Sequence, residues 1–443
     1  MALHHPEPVM PFPCLYGCTE KVSIMEPCPS LVLQNVSLPD GRVADVTVAD
    51  GVVRHIGAAM PADRVIECTG LFVLPAATDM HVHMRDGPQS AKEDWESGTR
   101  SAIAGGVTVV VDQPNTVPPI INPETFRVRV LDAMEKTFCH FAINSGVAPD
   151  TPLSAMWSAG AMAFGEVFFA PSSYGEAISL HDLKNALECI HSLGGLATIH
   201  AEEVTAGPDT TLASHAQVRS GEGELKAVRA VAGANAAGCR LHFCHMSTSA
   251  SVDAALGSVE VTPHHLFLSR ELFDDASASA KVNPPLRSER ERVDLMARWN
   301  RIDVVASDHA PHTPSEKQQP FPDAPSGIPG VETTVPLLLA AVLEKKFSLP
   351  DVIAKTSTNP AAVLGIPAAG FVPGCRGDFA LFPREAVRIE PENLHSRCGW
   401  TPFEGHRGVF PLRVIMGGTV VYEEGEFFRG EPSWIPGKGY FPR

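Results

Sequence analysis

Basic residues are the minority in this chain. Its 443 residues include 35 Lys and Arg against 51 Asp and Glu, a formal net charge of −16. No broad positive surface for nucleic acid or an anionic membrane is therefore expected. Long apolar runs are lacking too: none reaches 18 residues, and residues 1–30 do not follow the basic-then-apolar order of a secretory signal. Ten cysteines are scattered along the chain without a paired framework. Only Cys14 and Cys18 lie close together, in a Pro-rich leader with His4 and His5, and they fall short of the four spaced ligands of a structural zinc site. Free thiols fit a reducing compartment, so the chain reads as cytoplasmic. Neither an internal repeat nor a low-complexity tract is present.

What is there suits a large core: 44% hydrophobic and 19% charged residues exclude a disordered chain, a coiled coil and a small disulfide scaffold. Short alternating stretches punctuated by Gly and Asp (Leu31-Val-Leu, Val43 to Val53, Val65-Ile-Glu, Leu71 to Leu74) predict antiparallel strands. The same texture returns in Asp378-Phe-Ala-Leu-Phe and from Val409 to Tyr422. Neither end has enough strands for a core alone, so residues 29–74 plus 372–430 are expected to join in one β domain, a small sandwich built from both chain ends. Residues 1–28 are expected to be a poorly ordered leader.

Between these ends, residues 75–371 carry β-rich runs separated by helix-length segments. They lie around Asp79–His83, Val107–Asp112, Phe138–Asn144, Ala161–Phe169, Gly195–His200, Arg240–His245, Val259–Pro263 and Ile302–Asp308. Helical spacing marks Ala91–Ala104, Glu176–Leu193 and Glu222–Ala237. Eight strand–helix units over about 290 residues predict an α/β protein, a (β/α)8 TIM barrel. The units before Arg240 and before Ile302 are elongated, which suggests lid loops.

In such a barrel the reactive side chains gather at strand C-termini. Here those ends read Asp79-Met-His81-Val-His83-Met-Arg85, Thr198-Ile-His200-Ala-Glu202, His242-Phe-Cys-His245 and Ala306-Ser-Asp308-His309. Strand alternation puts His81 and His83 on one side. Four imidazoles and a carboxylate converging on one mouth suit zinc or a similar divalent ion.

These segments, with Gln113-Pro-Asn-Thr116, Val261-Thr-Pro-His-His265, Lys281-Val-Asn-Pro-Pro-Leu-Arg287, Ser307-Asp-His-Ala-Pro-His-Thr313, Pro329-Gly-Val-Glu-Thr333, Thr358-Asn-Pro-Ala361 and Thr401-Pro-Phe-Glu-Gly405, resemble the amidohydrolase superfamily and, within it, dihydroorotases of the longer, class I type. The likeness runs from about residue 31 to 425. It implies two metal ions, His81, His83 and Asp308 on one, His200 and His245 on the other, with an activated water between them. It also implies reversible cyclisation of N-carbamoyl-L-aspartate to L-dihydroorotate in pyrimidine biosynthesis, with Asp308 as proton shuttle. The substrate is a small molecule; a homodimer, or an association with aspartate transcarbamoylase, is compatible with the resemblance.

One departure stands out. The family usually bridges its metals with a carboxylated lysine on strand 4, but no lysine lies between Lys136 and Lys184. The strand-4 segment reads Ala163-Phe-Gly-Glu166-Val-Phe-Phe. Glu166 is the candidate bridge: it offers the same two oxygens on a shorter arm, and Gly165 would permit the closer approach. A carboxylate that touches the ligands of a single metal without binding it is the alternative.

For the substrate carboxylate, Arg85 offers a bidentate fork, and Asn115 and His312 resemble the family's other two binders. The plain alternatives are an Arg85–Asp86 pair, a turn role for Asn115 and a loop role for His312. Asn283 is a further candidate for contact with the substrate ring, while His264 and His265 read as support for the strand-7 end. An allantoinase or dihydropyrimidinase, or an inactive homologue serving as a scaffold for aspartate transcarbamoylase, are the rival functions.

Overall fold

The computed structural model describes residues 30–169 and 177–441. Expectations for the leader, with His4, His5, Cys14 and Cys18, lie outside the described residues. The described chain opens with β1 (Leu31–Ser37), β2 (Val43–Ala49), β3 (Val52–Gly57), β4 (Arg64–Glu67) and β5 (Phe72–Pro75). The first four form a sheet ordered β3-β2-β1-β4. The hairpin between β2 and β3 turns at Asp50 and Gly51, both with positive φ (51° and 75°), as an Asp-Gly pair favours.

The middle of the chain supplies parallel strands: β6 (Ala77–Val82), β7 (Val107–Asp112), β8 (His140–Ile143), β9 (Phe164–Phe168), β10 (Leu196–His200), β11 (Arg240–Phe243), β12 (Ser258–Val261) and β13 (Val304–Val305). They lie in two arcs, β6-β7-β8 and β9-β10-β11-β12-β13. Isolated parallel bridges Ser145–Phe164 and Val82–His309 span the gaps between arcs. This is an α/β TIM-barrel fold accompanied by β-rich sheets.

Helices follow the strands, as the spacing of apolar residues predicts. Trp95–Ala104 starts later than the expected Ala91, because Asp94 caps it by accepting from the Ser97 amide. The expected helix over Glu176–Leu193 is Leu180–Ser192, and that over Glu222–Ala237 is Gly221–Ala234. The long connection before Arg240 is thus partly helical (Leu212–Val218 and Gly221–Ala234), and so is the one before Ile302 (Glu289–Met296).

The eighth strand is much shorter than Ile302–Asp308. Asp308 turns into the left-handed region (φ 46°), and the Ser307 amide donates to the Asp79 carboxylate (3.2 Å) instead of joining a ladder.

The chain then adds β14 (Phe379–Phe382), the short pair β15 (Val387–Arg388) and β16 (Arg407–Gly408), and β17 (Arg413–Met416), β18 (Thr419–Glu423) and β19 (Glu426–Phe427). β14 inserts antiparallel between β5 and β17. Its alternation explains how the sheets stack. Phe379 and Leu381 pack with Leu31, Leu33, Val46 and Val48 of the first sheet, whereas Ala380 and Phe382 join the large core under the barrel helices.

A separate apolar cluster joins Met80, Val111, Ala142 and Val304 from the parallel strands with Met162 and Ala306 flanking them, and Leu364 and Ile435 against it. No helix among the described residues is long and apolar enough to cross a membrane.

Candidate metal centre and anion pocket

Six of the expected residues meet. Glu166 lies among four imidazoles: its Oε1 is 2.9 Å from His245 Nε2 and 3.4 Å from His200 Nδ1. Its Oε2 is 3.4 Å from His81 Nε2 and 4.0 Å from His83 Nε2. Asp308 Oδ1 stands 3.0 Å from His83 Nε2 and 3.5 Å from His81 Nε2. One carboxylate oxygen thus faces each histidine pair.

Gly165 makes that approach possible, since a Cβ there would fall 2.1 Å from the Thr198 carbonyl oxygen and the backbone has φ +140°. Ladder irregularity in β6 between Asp79 and Val82 accommodates His81 and His83 at the same focus. Arg85, His245 and Asp308 all carry positive φ (50°, 34° and 46°), uncommon for such residues and concentrated where side chains must be aimed.

These donors fit a divalent cation. His81 Nε2 is buried without a hydrogen-bond partner, although two carboxylates flank it. The sets His81, Glu166, His245 and His81, His83, Asp308 each offer ligand atoms within 4.8 Å of one another. The carboxylates of the site also favour positive charge on its imidazoles. Burial alone would push the His200 imidazolium down, but Glu166 and Glu202 outweigh it and carry the group up to about 9. Burial likewise opposes charge on His81, yet Glu166, Glu260 and Asp308 hold it well above the usual histidine range. Carboxylates that draw protons onto imidazoles in this way supply the field that a cation would satisfy.

Two supporting carboxylates go beyond the sequence expectations. Glu260 holds His81 Nδ1 at 2.9 Å and accepts from the His245 amide at 3.0 Å. Glu202 holds His200 Nε2 at 3.0 Å and pairs with Arg219. Such carboxylate–histidine contacts orient ligands. Glu260 had a signal, a buried charge between Val259 and Val261 on an apolar strand. His265 spans Thr262 Oγ1 and the Pro284 carbonyl (2.8 and 3.1 Å), and neither it nor His264 enters a metal-competent group among the described residues.

A cavity of about 380 Å³ opens over this centre, lined by every expected site residue except His81. Arg85 is buried in its wall, with Nε 3.3 Å from the Pro311 carbonyl and Nη2 3.3 Å from His312 Nε2. The Arg85–Asp86 pair does not form: Asp86 pairs with Lys136 at 2.9 Å. Burial lowers the Arg85 guanidinium to about 10, leaving it charged. Asn115 is tied to His83 Nδ1 (2.7 Å); the imidazole N–H donates to its oxygen, which directs the amide N–H groups elsewhere. His312 lies 3.0 Å from the Ser326 carbonyl through Nε2 and 3.2 Å from Lys92 Nζ through Nδ1. Burial and then the cations Arg85, Lys92 and Lys317 push it far below the usual histidine range, so it is neutral, giving its one N–H to Ser326 and accepting from Lys92. Asn283 lines the cavity, but its Oδ1 is engaged by His215 Nε2 at 2.9 Å.

A barrel whose strand ends cage histidines and carboxylates is the hallmark of a metal-dependent hydrolase class, and residues 72–394 match the amidohydrolase family. The chain belongs to that family. Within it the chain groups with proteins called dihydroorotase. It is 40% identical to that of Halobacterium salinarum over 407 residues, covering 88% of this chain and 96% of the relative. The Pyrococcus furiosus dihydroorotase is 34% identical, covering 92% and 97%. Among solved structures, the L-hydantoinase (dihydropyrimidinase) of Arthrobacter aurescens superposes with a TM-score of 0.86 at 25% identity, over 92% of this chain and 100% of the other. The dihydropyrimidinase of Brevibacillus agri gives 0.82 at 23% identity, over 93% and 99%.

Proposed function

We propose that this chain is a dihydroorotase: it interconverts N-carbamoyl-L-aspartate and L-dihydroorotate, a step of pyrimidine synthesis. The observation that carries the reading is the buried guanidinium of Arg85 beside the centre, with no carboxylate of its own among the described residues. Such a cation suits a substrate whose carboxylate does not react. Neutral hydantoins and dihydropyrimidines would leave it unpaired, which weighs against the dihydropyrimidinase or allantoinase reading. An inactive scaffold fits less well, since His81, His83, His200, His245, Glu166 and Asp308 are all gathered in one place.

His81, His83 and Asp308 would hold one ion and His200 and His245 a second, with Glu166 bridging; zinc suits this nitrogen–oxygen set. When bound, such ions polarise a carbonyl and make water acidic enough to attack near neutral pH. Arg85 and the Asn115 amide clamp the substrate's carboxylate and thereby orient its ring, with His312 placed against Arg85 in the same wall. In the hydrolytic direction Asp308 accepts the water's proton and returns it to the departing ring nitrogen. In synthesis, protonated Asp308 assists the loss of water as the ureido nitrogen closes the ring. Closure consumes a carboxylate and a proton, so falling pH favours dihydroorotate.

The two bridges between arcs support one closed eight-stranded ring, and the shared core of β1–β4 with β14 supports a β domain made from residues 29–74 and 372–430. The test is turnover of dihydroorotate, dihydrouracil and allantoin by zinc-loaded protein. Activity on dihydroorotate alone is expected; preference for either neutral ring overturns the assignment.

A further inference from the structure

One wall of the cavity is unusual in how it is held. Pro325, Ser326 and Gly327 face the cavity at the end of a segment with prolines at 320, 322 and 325, which lack the N–H groups a strand ladder needs. Two lysines hold its backbone instead. Lys281 Nζ lies 2.8, 3.4 and 2.9 Å from the carbonyl oxygens of Phe321, Pro322 and Ala324. Lys317 Nζ lies 3.0 Å from those of Lys281, Pro325 and Gly327. Each lysine is only 6% exposed, and neither has a carboxylate within ion-pair distance among the described residues.

Burying an ammonium without a counter-ion is costly. Burial pulls Lys317 down to about 7, but its three carbonyl acceptors favour the charged form, because a neutral amine has only two N–H donors. The clamped segment reaches the anion pocket directly. Ser326, between two residues whose carbonyls hold Lys317, accepts from His312 Nε2. At Gly327 (φ +133°) a Cβ would lie 3.0 Å from that same nitrogen and 2.6 Å from the Ala310 carbonyl, so the approach is tight. In a chain of net charge −16, two such cations behind the wall add local positive field where an anion must dock.

We propose that Lys281 and Lys317 are positioning residues for an anionic substrate: together they clamp Pro320–Gly327 through its carbonyls, fix His312 from behind and favour binding of the substrate's unreacting carboxylate. This rests on the carboxylate-binding reading of Arg85, against which His312 is placed.

The test uses the full chain loaded with zinc and compares the parent with Lys281→Met, Lys317→Met and Lys317→Gln. Steady-state kinetics on dihydroorotate, metal content, and amide hydrogen exchange at Ser326 and Gly327 are measured together. The expected result is a KM raised about tenfold or more with kcat within about threefold, unchanged metal content and faster exchange in the segment, the Gln variant falling between parent and Met. An unchanged KM, a loss confined to kcat, or unaltered exchange overturns the proposal. So does failure of all three variants to fold, which would make the pair a folding element. A parent that does not turn over dihydroorotate rejects the substrate reading and this inference with it; a parent that does leaves the variants to judge the lysines alone.

Discussion

The parallel strands and the residues flanking them carry two contrasting stretches. In one, Met80, Val111, Ala142, Met162, Val304 and Ala306 meet in an apolar cluster with Leu364 and Ile435. In the other, His81, His83, Glu166, His200 and Asp308 meet as a buried polar one. The first is stable because nothing in it needs a partner; the second holds buried carboxylates and imidazoles that satisfy one another only in part. That division separates packing from chemistry along single strands, as parallel barrels do generally.

Replacing residues in the two stretches should have opposite consequences. Asp308→Ala is expected to lower turnover about 10³-fold, in the range for loss of a positioned acid–base group, in a protein that still folds; near-parental kcat with dihydroorotate would contradict the assigned proton transfer. Glu166→Gln removes the charge facing both histidine pairs. It should lose at least one zinc ion per chain by elemental analysis and about 100-fold in activity, the upper end of what losing a ligand-orienting group costs. Retention of both ions would leave Glu166 outside the coordination.

Arg85→Met is expected to raise KM for dihydroorotate about 10- to 100-fold, the equivalent of one or two charge-assisted hydrogen bonds; a comparable change in any slow turnover of dihydrouracil would mean that Arg85 does not read the carboxylate. In the apolar stretch, Met162→Ala should cost about 2–5 kcal/mol of stability, read from denaturant midpoints, while kcat per folded molecule holds.

The smallest expected effect lies outside both stretches. Glu332 accepts from His395 Nδ1 at 2.7 Å and, more than burial opposes it, holds that imidazolium above its ordinary 6.5. A raised folded value means the contribution is fully present below about 6.5 and fades as pH rises through the folded value. Unfolding midpoints of the parent should therefore fall more between about pH 6 and pH 8 than those of His395→Gln; parallel slopes would show that the pair does not titrate with folding.

The candidate ligands were legible because each stands at the end of an apolar run or, for Glu166, inside one, where a polar residue is conspicuous. His81 and His83 were readable from their two-residue spacing, and Glu166 from the absence of lysine in the same stretch. The carboxylates behind the histidines were less so: Glu202 sits beside His200 without distinguishing context, and pairing of Glu260 with His81 joins residues far apart in the chain. Asn115 was expected to touch substrate, and its contact with His83 could not be read from a Pro-Asn-Thr turn. The expected lids before Arg240 and Ile302 are partly helical because segments such as Leu212–Val218 bury apolar faces that length alone does not reveal.

Local pattern alone determined the alternation of strands and helices, the position of the polar residues at strand ends, and the likeness to metal-dependent hydrolases, because periodicity and residue type are properties of short stretches. Only the folded chain decided which oxygen of Glu166 faces which histidines, that Asp86 turns to Lys136 and away from Arg85, and that two lysines brace the cavity wall. Those are contacts between distant segments, and their geometry exists only once the strands have closed around a common core.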